Sequence, residues 1–129
     1  MKYMLMMSCT RRDFESLGGW SPAEFQAHIR FMKSLNHELQ ASGELVLCEG
    51  LEPPMLAKLV RAERADAPIV TDGPFAETKE FLAGFWIIDV KTPERAVAIA
   101  AKASTAPGPG GRPLMIPIEL RAVGQIPEA

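Results

Sequence analysis

The spacing of apolar positions changes several times along the chain, and each change marks an element. Lys2 to Cys9 (KYMLMMSC) is a short apolar run with Tyr3, Leu5 and Met7 on one face, the pattern of a central strand covered on both sides. The polar stretch Thr10 to Trp20, with Gly18 and Gly19, reads as a surface loop. Ser21-Pro22-Ala23-Glu24 then opens a helix. Ser21 can accept orphan amide hydrogen bonds, Pro22 fits the first turn, and Glu24 completes a capping box. At about 100° per residue, Phe25, Ile29, Met32, Leu35 and Leu39 share one stripe. Gly43 ends this helix after roughly 30 Å.

Glu44 to Glu49 predicts a second strand, and Pro53-Pro54 forces an extended turn after it, because neither proline can donate to a ladder. Leu56 to Ala62 and Pro68 to Thr71 predict a hairpin around the polar Glu63 to Ala67. Asp72-Gly73-Pro74 is a turn signal: Asp bonds its own downstream backbone, Gly supplies positive φ and Pro fixes the exit. Leu82 to Val90 (LAGFWIIDV) is β-branched and aromatic, as a core strand is. Thr92-Pro93-Glu94 repeats the cap-then-proline start, and Ala96, Val97, Ile99, Ala100 and Ala103 give a second helix with a small-residue face. Pro107 to Gly111 is a loop, and Leu114 to Val123 closes as a strand, with Pro117 at an edge or bulge.

The order is therefore β, α, β, hairpin, β, α, β. Two helices on one face of a mainly antiparallel sheet bury both apolar stripes, which makes an α+β, ferredoxin-like sandwich. Only two helices leave the other sheet face bare, so a second copy is expected to cover it, sheet on sheet, in a homodimer. The expected boundaries are one domain over 1–123 and a C-terminal tail over 124–129.

Composition narrows the function classes. Across 129 residues, 47% hydrophobic and 23% charged, the chain has enough apolar surface for one core. A net charge of -2 without a basic stripe gives no electrostatic footprint for nucleic acid or an anionic membrane. The apolar opening is too short for a signal-peptide core, so the expected location is the cytoplasm. Cys9 and Cys48 lack CxxC spacing and read as free thiols, not a disulfide framework or a zinc site. No GxSxG, HExxH or GxGxxG motif occurs, which disfavours a serine hydrolase, a zinc peptidase and a dinucleotide enzyme. The glycine-rich loop lacks the lysine of a phosphate-binding loop.

His28 is the candidate for chemistry. It lies about 40° from the centre of the first helix's apolar stripe and so points at the sheet, whereas His37 falls on the opposite face. An imidazole in a half-buried cleft can act as a general base. The same position also suits a core-edge histidine bonded to a backbone carbonyl. Phe85 and Trp86 alternate across their strand, so one faces the core and the other the cleft or a partner. Trp86 can thus line an apolar pocket, though core packing is the commoner use.

The stretch Val70-Thr71-Asp72-Gly73-Pro74-Phe75-Ala76-Glu77-Thr78-Lys79-Glu80, followed by Leu82, Gly84 and Phe85, closely resembles the signature of the YCII-related, DGPF-domain family. Lys2-Tyr3-Met4-Leu5, Glu49-Gly50-Leu51 with Pro53-Pro54, and Glu119-Leu120-Arg121 extend the resemblance over nearly the whole chain. Cys48 stands where many relatives carry glycine, and Ala122 where proline often follows the arginine. The resemblance implies a dimeric α/β barrel, a fold that hosts isomerases, dehalogenating enzymes and monooxygenases as well as proteins with no known activity. It also implies a catalytic pair of His28 and Asp72, the carboxylate orienting the imidazole or holding it charged. Asp72 can equally cap its own turn. Within the motif, Lys79 and Glu77 are candidates to anchor a substrate, or to brace one another.

Three functions remain open. The first is a cofactor-free, small-molecule isomerase or lyase in which His28 moves a proton. The second is a non-catalytic ligand-binding or protein-interaction domain, linked to transcription in some relatives. The third is a purely structural dimer in which the motif is a folding device.

Overall fold

The computed structural model describes residues 1–73 and 80–127. Strand β1 (Lys2–Thr10) leads into a short helix α1 (Arg11–Ser16), a single 3-10 turn (Leu17–Gly19) and the long helix α2 (Pro22–Ala41). Strand β2 (Leu45–Gly50), a 3-10 turn (Pro54–Leu56), the hairpin β3 (Lys58–Arg64) and β4 (Ala67–Asp72), and strand β5 (Glu80–Asp89) follow. Helix α3 (Pro93–Ser104), a 3-10 turn (Pro109–Gly111) and strand β6 (Ile118–Ala122) complete the chain.

The main sheet has the order β2-β5-β1-β6 with every neighbour antiparallel. It is open, and together with the helices it forms the ferredoxin-like α+β arrangement. Register sorts the side chains. Leu5 stands opposite Trp86 on β5 and Leu120 on β6, and these, with Met7 and Ile88, face the helices. Leu35 and Leu39 of α2 and Ala96, Ile99, Ala100 and Ala103 of α3 close over them. Leu5, Leu39 and Ile88 are fully buried, each stabilising the fold by about 1.5–3 kcal/mol relative to exposure.

The other face of the sheet is also apolar. Met4 pairs with Ile87, Met6 with Phe85, and Leu47 with Ile87, so these five side chains share the side away from the helices. Leu47 is 44% exposed there.

Both long helices begin where the caps place them. Ser21 and Glu24 make a reciprocal capping box with Pro22 in the first turn, and the Thr92 hydroxyl accepts from the Arg95 amide. The structure departs from expectation in several places; Gly73, expected to supply a positive φ at its turn, does not adopt one. The predicted loop from Thr10 contains α1, because Thr10 and Asp13 form another capping box that starts a helix. The last strand is shorter than the apolar run Leu114 to Val123. Pro113 and Pro117 have no N–H to give, Met115 turns to φ 55°, and pairing begins only at Ile118. A final backbone bond joins the Val123 amide to the Lys2 carbonyl, and Ile126 beyond it is 93% exposed.

The β3–β4 hairpin forms a sheet of its own. Its base is tied by the Gly73 amide, which donates to the Ala57 carbonyl at 2.7 Å. A Cβ at Gly73 would meet the Pro54 carbonyl oxygen at 2.8 Å, so this approach requires glycine.

Candidate functional site

The apolar stripe of α2 has two halves with different surroundings. Leu35 and Leu39 are buried, but Phe25 and Ile29, one to three turns earlier, are 47% and 37% exposed. There the helix stands off the sheet and leaves two adjoining clefts of about 260 and 370 Å³. Met7, His28, Ile29 and Ala83 wall both, so His28 sits at their junction.

Two contacts hold the His28 ring. Its Nδ1 lies 3.0 Å from the Pro107 carbonyl oxygen, and the Trp20 ring meets it edge to face at 5.6 Å between centroids. A carbonyl only accepts, so in this bond Nδ1 carries the hydrogen and donates, leaving Nε2 as the nitrogen available to a ligand. The loop bearing Pro107 is itself fastened to α2. The Gly110 amide donates to Glu24, the residue that caps the helix. Glu24's carboxyl is pushed below the usual carboxylate range by the backbone amides of Ser21 and Gly110. The helix cap thus also fixes the acceptor that orients the imidazole.

The first cleft is mostly apolar, lined by Phe14, Leu17, Trp20, Phe25, Leu114 and their neighbours. Cys9 reaches it too, and burial, followed by the nearby charges of Asp13 and Glu80, pushes its thiol up to about 11. This sulfur is a poor nucleophile near neutral pH. The second cleft is more polar at its far end, where Asn36, Cys48 and Glu49 line it. Gly84 forms part of its wall, and a Cβ there would meet the Glu49 carbonyl oxygen at 2.9 Å. Among the described residues the charged groups lining the clefts are carboxylates, Asp13 in one and Glu49 in the other.

The structure separates the sequence candidates. Trp86 is 6% exposed, packs in the core under the helices, and still lines the second cleft. Its Nε1 donates to the Asn36 Oδ1 at 2.7 Å. Asp72 ends β4, where Lys58 of β3, its cross-strand partner, donates to it at 2.6 Å in an exposed ion pair. Within one chain His28 and Asp72 are not brought together: each bonds a different partner, and Asp72 lines neither cleft at His28. Glu77 and Lys79 lie outside the described residues. Among those described, no cluster of three His, Cys, Asp or Glu could hold a metal ion, and no helix is long and apolar enough to cross a membrane.

Pro107, Trp20 and Asn36 were not singled out from the sequence. A backbone carbonyl leaves no trace in residue identity. Asn36 did leave one, since it lies eight residues after His28, two turns along the same face of α2.

The sequence model of the YCII-related domain matches residues 1–108, most of the chain. The chain belongs to the YCII-related family. Within that family it is similar to an uncharacterised protein of Rhizobium meliloti (strain 1021), 32% identical over 124 residues that cover 96% of this chain and 99% of the relative. The glycines of the YCII-related signature have local reasons here: Gly73 admits the Pro54 carbonyl, and Gly84 admits that of Glu49. Neither reason involves catalysis. The likeness therefore accounts for the turn and strand pairing.

Proposed function

We propose that this YCII-related protein is a small-molecule enzyme of the isomerase or lyase type, in which His28 transfers a proton within the cleft between α2 and the sheet. The observation that carries the reading is the bond from His28 Nδ1 to the Pro107 carbonyl, made at the junction of two open clefts. It fixes the tautomer in which Nε2 is a base, the task given to a carboxylate in hydrolytic triads. Nε2 takes a proton from an acidic O–H, or from a C–H beside a carbonyl, and returns it to the substrate at another atom in an isomerisation. Such a step requires no cofactor. Asp72 has no part in it within one chain.

The test is hydrogen–deuterium exchange at the acidic carbon of neutral cyclic ketones, headed by 2-tetralone, followed by NMR in D2O. Catalysed exchange that falls at least about a hundredfold in His28→Ala, with the fold retained, is expected. Exchange that is unchanged in this variant refutes the proton-transfer role.

A non-catalytic ligand-binding domain is the second reading. It is favoured by Asp72 being engaged by Lys58, so that among the described residues no carboxylate partners the imidazole. It predicts saturable binding of the same ketones without exchange.

In either reading the working unit is a homodimer, formed by burying Met4, Met6, Leu47, Phe85 and Ile87 of the sheet's outer face against the same face of a second copy. Sedimentation should give a dimer, and Ile87→Lys should give a folded monomer. A wild-type chain that sediments as a monomer at micromolar concentration contradicts this.

A further inference from the structure

The second cleft runs along α2, and three of its lining side chains, His28, Met32 and Asn36, are spaced four residues apart on one helix face. At 1.5 Å per residue the outer two are about 12 Å apart along the axis. They are polar at the ends and apolar in the middle, and Trp86 and Met7 add apolar surface between them.

Asn36 is held in a defined orientation. An indole N–H can only donate, so the Trp86 bond at 2.7 Å takes the carboxamide oxygen and leaves Nδ2, with its two hydrogens, on the other branch of the amide. Among the described residues the Asn36 side chain is bonded through Oδ1 alone, and Nδ2 is not a buried atom, so it stays accessible where Asn36 lines the cleft. A second donor-or-acceptor position is thus built at the end of the groove remote from His28. Its polarity follows from the tryptophan and is fixed as a donor.

We infer that Asn36 is a specificity-determining residue whose Nδ2 donates to an acceptor oxygen of the substrate. The substrate class is then a neutral, largely flat molecule with an acidic proton at the His28 end, an apolar body over Met32 and Trp86, and a carbonyl or ether oxygen at the Asn36 end. The carboxylates of Asp13 and Glu49 at the clefts oppose an anionic head group in these positions. The inference rests on the cleft being the substrate site. It adds the second anchor, through which binding energy remote from the reacting atom positions that atom against Nε2.

The test uses 6-acetyl-2-naphthol, whose hydroxyl and carbonyl oxygen lie at opposite ends of a flat apolar body. The comparison is 6-isopropenyl-2-naphthol, the same shape with CH2 in place of the carbonyl oxygen. Affinities are read from ligand fluorescence at pH 7. Wild type should bind the acetyl compound about tenfold tighter than the isopropenyl one, the contribution of one hydrogen bond. Asn36→Asp keeps an oxygen for Trp86 and replaces the free NH2 by a second carboxylate oxygen, so it should erase or invert that preference. Binding of the isopropenyl compound should remain within about twofold. Near-UV circular dichroism shows whether Trp86 keeps its surroundings in the variant, and the wild-type comparison does not depend on any variant folding. Equal wild-type affinity for the two compounds, or a preference that survives Asn36→Asp, overturns the role of Asn36. If His28→Ala still weakens both compounds in that case, the cleft itself stands. Failure of both compounds to bind, or binding indifferent to His28, removes the cleft as the site and the inference with it.

Discussion

Replacing Glu44 with Gln tests how the two helices are clipped to the sheet. Glu44 lies between α2 and β2, and its carboxylate takes two hydrogen bonds from Arg95 in the first turn of α3, both at 2.9 Å, and one from the Ser42 hydroxyl at 2.8 Å. Its backbone carbonyl also accepts from the Asp89 amide at the end of β5. The Arg95 bonds, assisted by Ser42 and opposed by burial, lower the Glu44 carboxyl from 4.5 to about 2. At about 1.4 kcal/mol per unit this sets an upper limit of about 3 kcal/mol. Arg95 is 49% exposed against 16% for Glu44, so water screens the pair and about 1–2 kcal/mol is the expected contribution.

The pH dependence has a definite direction. The folded carboxyl titrates below the unfolded one, so its contribution is complete above about pH 5, declines as the pH falls through the interval between the two values, and is gone near pH 2. Glu44→Gln should therefore lower the urea-unfolding free energy by about 1–2 kcal/mol at pH 7, with a melting temperature lower by roughly 4–8 °C. The two proteins should converge as the pH approaches 2. A difference that is the same at pH 7 and pH 3 refutes the assignment to this carboxylate's charge.

Three further outcomes follow from the packing and the site. Leu39→Ala removes a side chain that is 1% exposed between α2 and the sheet, and should cost about 2–5 kcal/mol in urea unfolding; a loss below 1 kcal/mol would mean that the helix is not seated as described. Cys9, with its thiol pushed up to about 11, should react with iodoacetamide at pH 8 at least about tenfold more slowly in the folded chain than in urea, and equal rates by mass spectrometry would contradict its partial burial near the charges of Asp13 and Glu80. Thr10→Ala should destabilise the chain by about 1 kcal/mol through loss of the α1 cap, and no change in thermal melting would show that α1 does not depend on it.

Much of the fold was legible because several local signals agreed. Ser21-Pro22-Glu24 and Thr92-Pro93 mark helix starts that the structure reproduces, and the alternation around Leu5 and Trp86 gives the buried face of the sheet. Helix α1 was less legible. Its six residues bury nothing, so there is no apolar period, and the Thr10-x-x-Asp13 cap was its only mark. Met115 and Pro117 shortened the last strand in a way that apolar composition alone conceals.

The site was legible in part. The helical wheel turned His28 toward the sheet, but it also grouped Phe25 and Ile29 with Leu35 as core, although the first two wall a cleft. Periodicity reports which face is apolar, not how closely that face approaches its neighbour. The Pro107 carbonyl depends on a loop 79 residues away, held in place by Glu24 and Gly110. The bond that orients Asn36 depends on the register that sets Trp86 beneath α2. Both are long-range results of the fold. Asp72 illustrates the reverse: a residue prominent in a motif whose contact here is the neighbouring strand's Lys58.

The most direct test of the central claim is the proton state of His28, followed by nitrogen-15 NMR of the histidine side chains. In the neutral imidazole the hydrogen should reside on Nδ1, held by the Pro107 carbonyl, and the Nε2 resonance should move when 6-acetyl-2-naphthol is added. A neutral His28 with its hydrogen on Nε2, or an Nε2 resonance that ignores the ligand at saturation, would contradict it.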